Sequence, residues 1–256
     1  MDSHQSRILD QFTRQAAPFA SAAPIRDQAA LDRIIHAAGA DANDTVLDVG
    51  CGPGSLVCAF ARVVGHATGI DLTPAMLTQA RKLQQEQGMK NISWEQGDVT
   101  SLPYTEDSFT IVSSRFVFHH LEEPLTVLKE MKRVCKPGGR VVVADMAPAV
   151  NKAESLNRME RLRDPSHVRA MTEPELVDLF SQAGLARPGV EPYRLEGELE
   201  DLLGRSFPRN GDADRVRRIF EESVRDDALD LNTRRAAGKM YYSFPVVVLV
   251  ARKPHS

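Results

Sequence analysis

The sequence predicts an α/β domain: a mostly parallel sheet with helices on both faces. Three observations predict it. Thr45-Val46-Leu47-Asp48-Val49 is a β-branched, aliphatic run that passes through glycines at 50, 52 and 54 into a helix-like stretch, Ser55 to Ala61. Strand and helix patterns then alternate as far as Asp145, giving five βα units with no compositional break between them. The chain has 256 residues and is 42% apolar, enough to cover both faces of such a sheet within one domain.

A strand that turns through glycines into a helix suits a nucleotide. Glycine accepts backbone angles that other residues resist, and it lets a ligand approach the main chain. The helix start adds free N–H groups. In the dinucleotide fingerprint G-x-G-x-x-G the third glycine would stand where this chain has Ser55; Gly54 comes one residue early, and Asp48 precedes the loop. A tight strand–helix turn without a ligand is the plainer alternative.

Each element has its own signal. Ile8, Phe12, Ala16 and Phe19 recur at helical spacing, and Pro18 and Pro24 are expected to break that helix. Gln28 to Ala38 is a second helix with Leu31, Ile34 and Ile35 on one face, and residues 39–44 form a loop. Ala67 to Asp71 is the second strand, and Thr73-Pro74 opens a helix with proline at its first position. Asn91 to Gln96 is the third strand, with Trp94 in the core, and Phe109 to Ser114 is the fourth. Pro124 to Val134 is helical, Pro137-Gly138-Gly139 is a tight turn, and Arg140 to Asp145 is the fifth strand. Asn151 to Arg163 is a helix and Arg163 to Met171 a polar loop; Thr172 and Glu175 then form a capping box for a helix that Gly184 ends. Val190 to Leu195 is the sixth strand and Tyr241 to Arg252 the seventh. Between them, residues 196–239 form an insertion with two amphipathic helices, marked by Leu199, Leu202, Leu203 and Phe207, and by Val216, Ile219, Phe220 and Val224. Its basic clusters at 215–218 and 234–235 read as solvated faces, and the insertion itself as a substrate cap or a dimer surface.

Composition narrows the partners. A net charge of −3 gives no general attraction to nucleic acid or anionic membrane, and no basic stripe with interleaved aromatics appears. The longest apolar run, Val246 to Ala251, is too short to span a bilayer, and Met1 to Gln5 carries no apolar signal region. Cys51, Cys58 and Cys135 show no C-x-x-C spacing, which suggests a reduced, cytoplasmic protein without a disulfide framework. No metal-ligand pattern is present, and internal repeats are not apparent.

Seven features in order carry a resemblance: Leu47-Asp48-Val49-Gly50-Cys51-Gly52-Pro53-Gly54, Gly69-Ile70-Asp71, Gln96-Gly97-Asp98-Val99, Leu102-Pro103-Tyr104, Asp107-Ser108-Phe109, His119-His120-Leu121 and Lys136-Pro137-Gly138-Gly139-Arg140. Residues 45–147 resemble class I S-adenosylmethionine (SAM)-dependent methyltransferases of the ubiquinone/menaquinone C-methyltransferase type. With Arg163-Asp164-Pro165-Ser166-His167-Val168-Arg169, most of the chain is similar to uncharacterised bacterial small-molecule members. The ubiquinone enzymes' motifs outside this domain are not evident, so their substrate is not carried over.

The resemblance implies a Rossmann-like, seven-stranded sheet whose last strand is antiparallel, and SAM as the cofactor. It implies one domain over 1–256, with a helical lid at 1–44, a SAM-binding core at 45–147 and a substrate-side half at 148–256. Asp48, Gly50, Cys51 and Gly52 would form the cofactor loop, and Asp71 would accept both ribose hydroxyls as a charge-assisted pair. Leu72 would form an apolar shelf for an adenine face, Met76 would point back toward the cofactor from the first turn of the next helix, and Gly97, Asp98 and Val99 would receive adenine. Arg115 would meet the methionine carboxylate. Phe12 and Phe19 would reach the substrate from the lid; packing onto the domain is the plainer reading.

Methyl transfer from a sulfonium depends above all on in-line positioning. A general base helps when the nucleophile carries a proton. His119, His120 and His167 are the candidates, being of the residue type that titrates near neutrality, with structural packing of the His-Leu pair as the alternative. Arg163 and Arg169 are candidates for an anionic group of the substrate, against surface salt bridges. Neither an amine-methylating Asn-Pro-Pro-Tyr signature nor a cysteine cluster of the arsenic-methylating type is present, so the acceptor atom stays open among O, N, S and C. The expectation is a SAM-dependent methyltransferase acting on a small molecule, as a monomer or homodimer, without nucleic-acid or membrane partners. One alternative is a SAM-binding protein of the same fold with a non-methylating role. The other is a NAD-dependent oxidoreductase, against which the glycine spacing and the antiparallel last strand both speak.

Overall fold

The alternation of side chains along β1 (Thr45–Val49) sets the layers of the fold. In the computed structural model, which describes residues 3–255, Leu47 and Val49 belong to one core cluster with Val127 and Leu128 of α5 (Pro124–Val134) and Phe180 of α7 (Glu173–Gln182). Val46 belongs to the opposite cluster, with Ile34 of α2 (Gln28–Ala38), Phe60 of α3 (Ser55–Ala61) and Leu77 of α4 (Pro74–Glu86). Both faces are covered, so the strand is buried on both sides, and the single charge in it is the buried Asp48. Met1, Asp2 and Ser256, part of the expected 1–256 domain, lie outside the described residues.

The sheet order is β3-β2-β1-β4-β5-β8-β6. β2 (His66–Asp71), β3 (Ile92–Gln96), β4 (Phe109–Arg115) and β5 (Cys135–Met146) run parallel with β1. β8 (Lys239–Arg252) runs antiparallel between β5 and β6 (Gly189–Glu198). The chain therefore reverses its order between β1 and β4, and open α/β sheets leave a crevice at the carboxyl ends of the strands there.

A third cluster caps that carboxyl edge. It joins Leu156 and Met159 of α6 (Ala153–Arg163), Leu202 of α8 (Leu199–Ser206), Phe220 of α9 (Asp212–Asp226), and Tyr242 and Phe244 of β8. α1 (Ser3–Ser21) crosses the same edge. Its Gln15 Nε2 donates to Asp164 Oδ2 at 3.2 Å, and its Gln11 Nε2 donates to the Ser206 carbonyl.

Four details differ from the sequence reading. The sheet has eight strands, because β7 (Arg234–Ala236) pairs with the start of β8 inside the segment expected to be only helical. Gly238, at φ 76°, makes that hairpin turn possible. Pro137-Gly138-Gly139 lies within β5 as a bulge: Phe109 pairs with Cys135 but Ile111 already pairs with Arg140. α1 continues through Pro18 and ends at Ser21. The loop after α6 is polar but buried, with Asp164 2% and Ser166 0% exposed, because its groups satisfy one another: the Ser166 N–H and hydroxyl both donate to Asp164 Oδ1, at 2.9 and 2.6 Å.

Among the described residues, no helix is long and apolar enough to cross a membrane. Cys51, Cys58 and Cys135 are buried free thiols.

Candidate active site

The glycine loop is tied to the end of β2. The Gly50 and Cys51 N–H groups both donate to the Ile70 carbonyl, at 2.9 and 3.0 Å, and the Gly52 N–H donates to Asp71 Oδ2 at 2.8 Å. Asp71 Oδ1 accepts the Thr73 N–H at 2.8 Å. Gly50 sits at φ 71°, and a Cβ there would lie 2.5 Å from Val117 Cγ2, so only glycine lets the loop pass under the segment that follows β4.

This loop forms one wall of a cavity of about 310 Å³ at the carboxyl ends of β1 to β4. Of the residues expected to hold the cofactor, Asp48, Gly50, Cys51, Gly52, Asp71, Leu72, Met76, Asp98, Val99 and Arg115 line it. Gly97 does not; a Cβ there would meet Ile70 Cδ1 at 2.8 Å, so its smallness serves strand packing. Trp94 is half-buried rather than fully in the core. It packs over Gly54 and Gly69 and donates from Nε1 to Gln84 Oε1 at 2.7 Å.

Burial dominates the cavity's electrostatics. It pushes the Asp48 carboxyl up to about 7, opposed first by the hydroxyl that Ser113 donates at 2.8 Å. It raises Asp71 as well, opposed by the backbone donors from Thr73 and Gly52. It lowers Arg115, whose Nη groups donate to the carbonyls of Ile25 and Pro24, both at 3.1 Å, while its Nε is buried without a partner. Among the described residues, Arg115 has no ion pair within 4.0 Å. The next residue, Phe116, holds φ 59°, a left-handed conformation that costs a bulky residue on the order of 1–3 kcal/mol. Strain of that size at the end of β4 places the Phe116 side chain between two cavities.

The second cavity, about 80 Å³, shares Phe12, Phe19, Ile25, Phe116 and His120 with the first. Its far wall is Met146, Leu195, Leu202, Tyr242 and Phe244, with His119, Arg163, Asp164 and Arg205 among the polar groups. Phe12 meets the His120 ring edge-on at 5.0 Å. α1 therefore brings both expected aromatics, Phe12 and Phe19, to the junction.

The three histidines cluster but differ in their partners. His119 Nδ1 lies 2.6 Å from Asp145 Oδ1. His120 Nδ1 lies 3.1 Å from the Ser166 carbonyl, and burial followed by the neighbouring His119 pushes its pKa down to about 3. His167 lines neither cavity: its Nε2 is 2.8 Å from Asn157 Oδ1, and burial holds it neutral.

The two arginines expected at the substrate also separate. Arg163 reaches the second cavity but is committed to Glu160, with Nε 3.0 Å from both carboxylate oxygens. Arg169 lies outside both cavities, exposed and paired with Glu175. Sequence reasoning missed Asp145, Gln5 and Arg205. Asp145 had a signal, an acid ending a buried strand, whereas Arg205 had only its place on an amphipathic helix.

Comparison with known proteins gives one result. The family described as "Methyltransferase domain" matches residues 47–143. The chain is 33% identical over 192 residues to the uncharacterized methyltransferase YcgJ of Bacillus subtilis, covering 74% of this chain and 75% of that one. It is 39% identical over 115 residues to the ubiquinone/menaquinone biosynthesis C-methyltransferase UbiE of Bdellovibrio bacteriovorus, covering 44% of this chain and 48% of that one. The crystal structure of the Bacillus subtilis YcgJ protein superposes with a TM-score of 0.80 at 27% identity, covering 89% of this chain and 99% of that one.

Proposed function

The chain belongs to the class I SAM-dependent methyltransferases, in the methyltransferase-domain family, and on that premise we propose that its acceptor is a small molecule held in the chamber beside the cofactor cavity. SAM supplies an electrophilic sulfonium methyl. The cavity's own residues fit it. Each Asp71 oxygen takes one backbone donor and keeps lone pairs for the ribose hydroxyls. Arg115 is a buried guanidinium with no carboxylate within 4.0 Å among the described residues, leaving it able to meet the methionine end of SAM. Leu72, Met76 and Val99 give an apolar bed for adenine, with Asp98 at its edge.

The observation that carries the small-molecule reading is the second cavity, which adjoins the first and shares five lining residues with it. Its walls come from α1, the end of β4, α8 and β8, and its aromatic lining suits an apolar acceptor. α1 serves as a lid over both cavities, and its closure keeps water away from the transfer. Positioning, water exclusion and orientation are what these side chains contribute.

The test is transfer of an isotope-labelled methyl group from SAM into a metabolite extract, read by mass spectrometry, alongside calorimetric SAM binding. Asp71→Asn and Asp98→Ala are each expected to weaken SAM on the order of 10- to 100-fold, the scale of hydrogen bonds to charged groups. Unchanged affinity in both sinks the cofactor assignment. Label that appears only in protein or nucleic acid sinks the small-molecule acceptor.

A further inference from the structure

The acceptor's chemistry is written in the pair Asp145 and His119, and the inference rests on the cofactor reading above. Asp145 is 2% exposed. Besides the His119 ring at 2.6 Å, its oxygens accept the N–H of Phe118 at 2.7 Å and the N–H of Met146 at 2.7 Å. A carboxylate held by two backbone donors cannot swing away. It only accepts, so His119 Nδ1 carries the shared proton, and in the imidazole form the ring's lone pair lies on Nε2. His119 lines the acceptor chamber, and Nε2 has no partner among the described residues.

Of the two histidines on the chamber wall, His119 is the one whose Nδ1 faces a carboxylate. His120 has a neutral carbonyl at Nδ1 instead of a carboxylate, and Asp164 is occupied by Ser166 and Gln15. Arg163 is paired with Glu160. Arg205 has a single polar contact, from Nη2 to the Tyr242 hydroxyl at 3.4 Å, and no ion pair among the described residues. It is the cation left to face an oxygen that becomes negative. Apart from Gln15 and Ser206, the rest of the wall is aromatic or aliphatic. At about 80 Å³ the chamber is smaller than the roughly 150 Å³ apolar cavity that takes up benzene, so it holds only the edge of a ring that carries the reacting group, with the rest of the ring at the junction with the wider cavity, beside Phe12, Phe19 and Phe116.

We propose that the acceptor is a neutral, flat, apolar molecule with an ionisable hydroxyl, a phenol or an enol, and that His119, oriented by Asp145, removes the hydroxyl proton during transfer. The O–H pair stays on oxygen while the proton passes to His119 Nε2. The oxygen forms the new O–CH₃ bond as the sulfonium C–S bond breaks, its pair returning to sulfur as S-adenosylhomocysteine. The imidazolium, stabilised by Asp145, then loses its proton to water. The product is a methyl ether. His119 is a catalytic residue in this scheme and Asp145 a positioning residue.

The test uses labelled SAM with three probes, 4-methylphenol, 4-nitrophenol and aniline, under mildly alkaline conditions in which 4-nitrophenol is ionised and 4-methylphenol is not. SAM binding is measured on every variant. The wild-type protein is expected to methylate both phenols on oxygen. His119→Gln is expected to lose on the order of 10²- to 10⁴-fold in kcat with 4-methylphenol, the usual contribution of a general base, but less than tenfold with 4-nitrophenol, which brings no proton. Asp145→Asn should show the same dependence on acceptor ionisation, a pattern that simple loss of structure does not produce; if that variant fails to fold, His119→Gln decides alone. Equal losses with both phenols, methylation on carbon, methylation of aniline alone, or no methylated phenol despite bound SAM overturns the proposal. Failure of the wild-type protein to bind SAM overturns the cofactor reading instead.

Discussion

Gln5 Nε2 donates to Asp98 Oδ2 at 2.6 Å, tying the first turns of α1 to the end of β3. The other Asp98 oxygen accepts the Thr100 N–H at 2.9 Å. In the proposed cofactor site, the oxygen that Gln5 holds is the one available to the adenine amino group. Each Asp98 oxygen keeps a free lone pair, but Gln5 itself lines the cavity, so its amide is expected to compete with the adenine amino group for the space beside Oδ2.

Gln5→Ala removes that competitor. The variant is expected to bind SAM about fivefold more tightly, since one net hydrogen bond is worth about 1 kcal/mol. Calorimetry reads the change. A weaker affinity instead shows that Gln5 stays on Asp98 beside the bound cofactor and contributes to holding it.

Arg163 is expected to matter for stability before it matters for the acceptor. Glu160 is 0% exposed, and its carboxylate faces Arg163 Nε and Nη2, with Arg163 Nη1 reaching the Ser206 hydroxyl at 2.8 Å. Removing one partner of a buried pair leaves the other charge uncompensated, at a cost of roughly 3–5 kcal/mol. Arg163→Met should lose about that much in urea unfolding, and Glu160→Leu/Arg163→Met should recover part of it, since the buried Asp164, whose Oδ2 lies 3.8 Å from Arg163 Nη1, still loses its cation. A mild effect of the single variant contradicts this.

The parts of this architecture that were legible in the sequence are those fixed locally. β1, the glycine turn and α3 are contiguous, so the positions of Asp48, Gly50 and Gly52 followed from one short stretch. Asp71 and Asp98 were legible because each ends or follows a strand. The acceptor side was harder, because its contacts join distant segments. His119 and Asp145 meet only because β4 and β5 are neighbours in the sheet, which no spacing rule states. Arg163 and Arg169 look alike in sequence, yet one is buried against Glu160 and the other is a surface pair. Gln5 gave no sign of its partner 93 residues away. The bulge in β5 looked like a turn because proline and glycines serve both.

Gly50 and Gly52 make a controlled comparison of strain and crowding. Both have positive φ, 71° and 52°, so an alanine at either costs on the order of 1–2 kcal/mol in conformation. Only at Gly50 would the new Cβ also strike a side chain, Val117 Cγ2 at 2.5 Å; at Gly52 nothing lies within 4 Å. Gly50→Ala is therefore expected to destabilise more than Gly52→Ala in urea unfolding. Equal losses count against the close approach of Val117.

Asp48 is expected to couple stability and cofactor binding to pH. Its folded-state pKa of about 7 lies above the ordinary 3.8, chiefly through burial. Below the ordinary value both states are protonated and nothing is lost. As pH rises from there, the unfolded chain releases a proton that the folded chain retains, so stability falls until Asp48 ionises in the folded state. At about 1.4 kcal/mol per pKa unit the loss is about 4 kcal/mol, and Asp71, also raised, adds in the same direction. Asp48→Asn should flatten this decline: its urea midpoint should change less between pH 5 and pH 8 than that of the wild-type protein. A cation placed near Asp48 favours the ionised carboxylate. SAM carries a sulfonium and an ammonium, so its binding near neutral pH is expected to release protons, seen as a binding enthalpy that varies with the ionisation enthalpy of the buffer. The same titration of Asp48→Asn should lose most of that variation. An undiminished variation in Asp48→Asn means the proton comes from elsewhere, and none in the wild-type protein means that Asp48 is already ionised before the cofactor arrives.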